Sequence, residues 1–388
     1  MSAARPLRVF IVAAETSGDL IGAELIRALR AESADVEIAG AGREAMAAEG
    51  VSSDIDLTEL SVLGLFDGLK ILKQVHEKAQ ACADAAAAFK ADQIVLIDSW
   101  GFMLRVAWKA RKTCPDAQLV KYIGPQVFAT RPGRAKVLAK AVDHLLAIHT
   151  FDPPYYEAHG LPVTVVGNPV LERELKGDGA AFRARHAIAP DARVVQLLFG
   201  SRNSEVKTLF DDFAASAAEL VSSRPDVRLV SVLAPSVEAM VRERLAARDD
   251  LSGLLLVGPE ERLDAFAASD LALACSGTVT LELSRMGVPS VVAYRLDALA
   301  WTIAWNFLMR ADYVSLVNLA AGEELLPERL QTHATPEHLV PELERLLDDP
   351  AHRAALSTRL KEVTQEMAGG DARASVNAAR ALLELRPL

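Results

Sequence analysis

Short runs of valine, isoleucine and leucine recur along this chain, each followed by a longer stretch rich in alanine, leucine, arginine and glutamate. The runs at 7–13, 36–39, 94–98, 119–123, 145–148 and 163–166 read as strands. So do those at 194–198, 229–233, 254–257, 271–274 and 290–293. Several are apolar throughout, as suits parallel strands covered on both faces. The intervening stretches, such as 20–30 and 210–222, read as helices, and this alternation predicts doubly wound parallel sheets. The 388 residues allow two or three domains at roughly 150 residues each. The alternation breaks once, at a charged stretch containing Gly177, Gly179 and Pro190. The expected organisation is one Rossmann-like domain over 1–170, a linker over 171–191, a second Rossmann-like domain over 192–335 and a helical tail over 336–388. The expected fold class is therefore α/β, with two doubly wound parallel-sheet domains facing across a cleft. Ligands in such sheets bind outside the carboxyl ends of the strands.

Charge and cysteine usage exclude several functions. Lys plus Arg number 42 against 52 Asp plus Glu, a net charge of −10, which argues against a nucleic-acid partner held by a basic field. Cys82, Cys114 and Cys275 are far apart and odd in number, so neither a disulfide framework nor a zinc site is expected. The uncharged run 299–309, which holds Trp301 and Trp305, is too short to span a bilayer, which needs roughly 20 residues. The N-terminal apolar run meets Glu15 too soon for a signal peptide. A cytoplasmic or membrane-peripheral protein is expected. The eight histidines form no HxxxH or HExxH pattern, and neither a GxSxG elbow nor a P-loop occurs. No metal and no cofactor are expected.

Four segments at strand ends carry the candidate chemistry. Glu15-Thr16-Ser17-Gly18-Asp19 follows the first strand and opens a helix, with Ser17 or Asp19 as a plain N-cap the simpler reading. Asp98 ends a buried strand, where a carboxylate can serve as general base; a turn or cap residue is the equal alternative. Gly200-Ser201-Arg202 joins a tight turn, free N–H groups, a hydroxyl and a guanidinium, the parts of a diphosphate site; Ser201 or Asn203 as a plain helix cap is the alternative, which leaves Arg202 unexplained. Ser276-Gly277-Thr278-Val279-Thr280-Leu281-Glu282 opens another helix, where Glu282 can accept from a ribose diol or complete a capping box.

Taken together, these segments resemble the lipid-A-disaccharide synthase family, glycosyltransferases of GT-B architecture. The resemblance runs along nearly the whole chain. It also rests on Glu59-Leu60-Ser61-Val62-Leu63-Gly64, Gly124-Pro125-Gln126-Val127, Gly167-Asn168-Pro169, Glu205-Val206 and the run from Asp312 to Leu319. It implies transfer of 2,3-diacylglucosamine from its UDP derivative to 2,3-diacylglucosamine 1-phosphate, with inversion at the anomeric carbon. The family match makes Asp98 the base. It assigns Gly200, Ser201, Arg202, Ser276, Gly277, Thr278, Thr280, Glu282 and Asn318 to UDP, and Glu15, Ser17, Gly18, Asp19 and Asn168 to the acceptor side. It further implies a homodimer exchanging the C-terminal tail. The acylated substrates imply contact with the cytoplasmic face of the inner membrane, through apolar residues around 63–71. A related UDP-amino-sugar enzyme, including a UDP-N-acetylglucosamine epimerase, and a non-catalytic nucleotide- or lipid-binding protein are the alternatives.

The chain departs from the family pattern at Phe199 before Gly-Ser-Arg, at Asn168, and at Phe128 and Thr130. Further departures fall at Trp100 and Gly101 after Asp98, at His149 and Thr150, and at Val317. Their concentration near the presumed cleft points to an altered substrate or reduced activity, with lineage drift the alternative.

Overall fold

The structure, a computed structural model, describes residues 5–57, 68–128, 130–172, 175–295 and 312–386. The apolar landmark 59–64, most of the patch 63–71, and both Trp301 and Trp305 lie outside the described residues. The chain divides into two compact units, Met1–Glu172 with Met367–Leu388, and Arg173–Glu366.

The first unit is built on β1 (Leu7–Ala13), β2 (Val36–Ala41), β3 (Gln93–Ile97), β4 (Gln118–Tyr122), β5 (His144–Ala147) and β6 (Val163–Val165). All pair in parallel, in the order β2-β1-β3-β4-β5-β6. The second unit holds β7 (Arg193–Leu198), β8 (Val227–Val232), β9 (Leu255–Val257), β10 (Leu271–Cys275), β11 (Ser290–Tyr294) and β12 (Glu328–Leu330). These are also parallel, in the order β12-β11-β10-β7-β8-β9. Both are Rossmann-like doubly wound sheets. The central strands β3 and β10 are buried at every residue, the pattern expected where helices cover both faces. β12 escaped the sequence reading because Glu328 and Arg329 interrupt its apolar character and all three residues are only half-buried.

In the first unit the sheet separates two apolar layers. One is built on Phe10, Ile94, Leu96, Phe102 and Val106, the other on Ile11, Leu25, Ile26, Val95 and Tyr122. The second layer includes Ala378, Ala379 and Leu382 from the helix Ala374–Glu384 at the end of the chain. That helix packs on Thr16–Glu32. Its Leu382 carbonyl accepts from Gln93 Nε2 at 2.9 Å, and Glu172 accepts from the Ser375 N–H at 2.6 Å. The tail is thus divided: Pro336–Asp348 buries Leu339, Leu343 and Leu346 in the second unit, while the last helix belongs to the first. The stretch 171–191 contains the helix Gly179–Arg185, whose Phe182 is fully buried with Val194, Val230 and Val257.

Two backbone and burial features have measurable consequences. Gly167 has φ +95°, and a Cβ there would stand 2.5 Å from the Gly369 Cα. Only glycine fits this seam, where the Asn168 N–H also donates to the Met367 carbonyl at 2.7 Å. Gly167→Ala is therefore expected to lose about 2 kcal/mol or more of stability in urea unfolding. An unchanged midpoint would show that the seam yields.

Phe128 after β4 and His149 and Phe151 after β5 form an aromatic cluster, with the first two buried and His149 stacked on Phe151 at 5.0 Å. Neither His149 ring nitrogen has a partner, and burial pushes its pKa down to about 4. Burial pushes the neighbouring Asp152 up to about 7, against a hydrogen bond from the His149 N–H. Between about pH 4 and 7 the unfolded Asp152 is ionised while the folded one keeps its proton, so it makes stability fall as pH rises. His149 acts oppositely, since its unfolded form binds a proton that the folded form refuses between about pH 4 and 6.5. Asp152→Asn removes only the falling contribution. Its stability relative to the parent should rise between pH 4 and 7 by an amount on the order of a few kcal/mol. Parallel denaturation curves across that range would refute this.

Candidate active site

Each sheet reverses its winding once, between β1 and β3 in the first unit and between β7 and β10 in the second. At such a switch point neighbouring strand exits send their chains apart, which leaves room for a ligand. The four segments singled out in the sequence leave those four strands.

In the first unit β3 stops at Ile97, and the chain turns sharply before the helix Trp100–Thr113. Asp98 and Ser99 both take left-handed backbone conformations, with φ of 50° and 39°. Two consecutive non-glycine residues there cost roughly 1–3 kcal/mol each, a strain that persists only where the surroundings enforce it. The Asp98 N–H donates to the Tyr122 carbonyl and the Met103 N–H to the Ser99 carbonyl, both at 3.0 Å. Asp98 is thereby lifted out of the sheet and half-buried.

Under this turn lies Lys121 of β4, which the sequence reading passed over. It is 2% exposed, and its Nζ donates to the carbonyls of Asp98 at 2.6 Å, Leu96 at 3.1 Å and Tyr122 at 3.1 Å. Burial pushes its pKa down to about 7, opposed by the negative charges of Asp98 and Glu15. A lysine directly after the apolar pair Leu119-Val120 in a buried strand was the available signal.

The β1 exit lies alongside. Glu15 and Ser17 are exposed at the start of Thr16–Glu32, and Gly18 is buried with its Cβ direction 3.6 Å from Ile97 Cγ2. Glu15, not Ser17 or Asp19, holds the N-cap position, without a side-chain cap bond. Asp19 turns inward instead, its carboxylate accepting from Arg43 N and Ala45 N at 2.7 Å each and from Met46 N at 3.3 Å. It thereby caps the short helix Glu44–Ala48 and offers little to a ligand. Asn168 follows β6, three strands from β3. It is buried, and its Oδ1 accepts from Val170 N at 3.0 Å. The structure therefore brings together Glu15, Ser17, Gly18, Asp98 and Lys121, and leaves Asp19 and Asn168 in structural roles.

In the second unit Gly200 has φ +107°, and a Cβ on it would stand 2.7 Å from Glu205 and 3.3 Å from Cys275 Sγ. The β7 and β10 exits therefore touch. The expectation of free N–H groups on this turn is corrected. Glu205 reaches back from the first turn of Asn203–Ser223, its Oε2 accepting from Ser201 N at 2.8 Å and from Arg202 N at 3.2 Å. This is the carboxylate half of a capping box. Its Oε1 accepts from Arg202 Nη1 at 2.7 Å. The Arg202 side chain is still 74% exposed, so its guanidinium remains presented at the helix N-terminus.

On the β10 side Gly277 is the N-cap of Thr278–Met286, and no side chain caps it, so a capping box with threonine at its head is absent. Gly277 and Thr278 are exposed and Ser276 half-buried, while the buried Thr280 donates its hydroxyl to the Gly277 carbonyl at 2.7 Å. Glu282 is held by Arg262, whose Nη1 lies 2.8 and 2.5 Å from its two carboxylate oxygens. Asn318 is wholly buried with all four hydrogen-bonding positions used. Its Nδ2 donates to the Leu326 carbonyl and Glu328, and its Oδ1 accepts from Leu325 N and Leu326 N. It braces the second unit and has nothing left for a nucleoside.

The departures from the family pattern also separate by orientation. Phe128, Asn168, Phe199 and Val317 are buried, with Phe199 stacked on Phe210 at 4.8 Å. These are changes within cores. Trp100, Gly101 and Thr130 keep surface exposure. Among the described residues no group of three or more His, Cys, Asp or Glu is placed to hold a metal ion, and no helix is long and apolar enough to cross a membrane.

Comparison with known proteins agrees with this arrangement. The family model "Lipid-A-disaccharide synthetase" matches residues 9–381. A lipid-A-disaccharide synthase of Rhodospirillum centenum is 40% identical over 383 residues, covering 98% of this chain and 95% of the relative. One from Pseudomonas aeruginosa is 36% identical over 381 residues, covering 98% of each. Among solved structures, the UDP-GlcNAc 2-epimerase of Neisseria meningitidis superposes with TM-score 0.63 over 97% of this chain and all of that one, at 13% identity. A glycosyltransferase of Rickettsia africae does so with TM-score 0.59 over 98% of each chain, at 10% identity. Likeness at such identity speaks for the GT-B fold alone, whereas the full-length sequence matches speak for the family. The chain belongs to the lipid-A-disaccharide synthetase family and is a hexosyltransferase of that type.

Proposed function

We propose that this chain transfers 2,3-diacylglucosamine from UDP-2,3-diacylglucosamine to the 6-hydroxyl of 2,3-diacylglucosamine 1-phosphate. The products are the β-1',6-linked disaccharide 1-phosphate and UDP. The observation that carries the reading is Asp98, raised on a left-handed turn at the switch point of the first sheet. The first unit, with Glu15, Ser17 and Gly18 beside Asp98, is assigned the acceptor; the second, with Gly200–Arg202 and 276–282, the UDP-sugar.

The Asp98 carboxylate takes the proton of the acceptor hydroxyl as that oxygen attacks the anomeric carbon from the face opposite UDP. The new C–O bond forms as the bond to the β-phosphate oxygen breaks, and the electron pair leaves on UDP. Single displacement inverts the anomeric centre. Negative charge grows on the diphosphate, and Arg202 meets it with its exposed guanidinium at the N-terminus of a 21-residue helix. Glu205 fixes that arginine and the turn below it. Glu282, oriented by Arg262, still has lone pairs for the ribose hydroxyls. Asn318 contributes by bracing the segment behind this turn rather than by contact.

The acyl chains of both substrates place the enzyme on the cytoplasmic face of the inner membrane as a peripheral protein. A homodimer exchanging the C-terminal helix belongs to the same proposal. The epimerase alternative is supported by fold likeness alone, at 13% identity, against synthase relatives at 36–40%.

Incubation of the purified protein with both lipids, followed by mass spectrometry, is expected to yield the disaccharide phosphate. Asp98→Asn should lower kcat by about 10²–10⁴-fold. Arg202→Met should lower it by about 10²–10³-fold. No product from folded protein that binds UDP would overturn the substrate assignment. Full activity in Asp98→Asn would remove that residue from the base role.

A further inference from the structure

Lys121 is a buried charged group that the mechanism above leaves without a task. Its register partners on either side, Leu96 in β3 and Leu145 in β5, are apolar, so the ammonium has no solvent and no carboxylate contact within the strands. It has three carbonyl oxygens instead, those of Leu96, Asp98 and Tyr122. Three acceptors match the three N–H donors of an ammonium; a neutral amine would satisfy two and set its lone pair against the third. The shortest of the three bonds, 2.6 Å, is to the carbonyl of Asp98 itself. Asp98 and Ser99 are the two consecutive residues held in left-handed conformations. We propose that Lys121 is the positioning residue of the base: its ammonium clamps the Asp98–Ser99 turn and so aims the Asp98 carboxylate at the acceptor hydroxyl.

The electrostatics point the same way. The charged groups that act on Lys121 are Asp98 at the β3 exit and Glu15 at the β1 exit, both negative, and they oppose the effect of burial. Leu145, its partner from β5, adds no charge. The buried cation is therefore drawn to the strand end that carries the proposed base. Its loss frees the turn that carries Asp98.

The proposal rests on Asp98 as base, and the test separates the two. Lys121→Met, Lys121→Gln, Lys121→Arg, Asp98→Asn and the double variant Lys121→Met/Asp98→Asn are compared for kcat, both KM values and thermal unfolding. Lys121→Met should lower kcat about 10- to 100-fold, the scale expected from a misplaced catalytic group, with the donor KM changed less than about threefold. Lys121→Arg, which keeps the charge and donors to carbonyls, should recover most of the lost kcat. The double variant should be no slower than Asp98→Asn alone. If Lys121→Met does not fold, Lys121→Gln, whose amide still donates to carbonyls, is read by the same criteria. Parental kcat in a folded uncharged variant would overturn the proposal. So would a loss that multiplies fully with that of Asp98→Asn. Full activity in Asp98→Asn would instead defeat the base assignment beneath it.

Discussion

Parallel pairing is the constraint from which the rest follows. Neighbouring parallel strands cannot be joined by a tight turn, so every strand end must hand over to a crossover that returns along the sheet. All helix starts that follow strands consequently gather at the carboxyl edge of each sheet. Where the winding reverses, between β1 and β3 and again between β7 and β10, adjacent strands send their chains apart. The groups proposed for chemistry occupy those two places because no other part of such a sheet exposes both backbone and side chain at the end of a rigid strand.

The site is held in shape largely by charges turned inward. Glu205 grips the turn that carries Arg202, Asp19 caps the helix after β2, and Lys121 holds the carbonyls beneath Asp98. Glu328 accepts from the Val314 and Ser315 N–H groups at 2.7 Å and from Asn318, fixing the segment that follows 312. A buried ionised group is stable only when its hydrogen-bonding positions are filled. Each of these residues therefore specifies one local backbone path. That path leaves a smaller set of side chains facing outward: Asp98, Glu15 and Ser17 in one unit, Arg202, Thr278 and Glu282 in the other.

The substitutions at Phe128, Asn168, Phe199 and Val317 acquire a different meaning once burial is known. In sequence they lie beside motif residues and look like changes to a ligand surface. In the fold they face cores, where Phe199 meets Phe210 and Phe128 meets His149 and Phe151. At packed positions a substitution is felt first as a change of volume and local packing, not as a change in the groups a surface offers. Trp100 and Gly101 differ in kind, because they start the helix that follows Asp98 and remain accessible.

The order of elements, the parallel class of both sheets and the position of Asp98 at a strand end were legible in the sequence. Hydrophobic runs and turn residues are local signals, and the eleven expected runs all became strands, while β12 was hidden by Glu328 and Arg329. The motif segments were legible too, since glycine, hydroxyl and charged residues after an apolar run mark a strand exit. What tertiary structure alone decided was the direction in which each polar side chain is used. Asp19, Asn168, Glu205 and Asn318 carry the same chemistry as residues that meet ligands, yet Asp19 accepts from backbone N–H groups up to 27 residues away in sequence, and the other three are spent on turn, cap and loop partners. Lys121 shows the converse: its neighbours in the chain do not announce that the carbonyls of Leu96 and Asp98, from another strand and the turn after it, converge on its amine. Periodicity records which face of an element is apolar, but only packing in three dimensions determines which buried donor meets which acceptor.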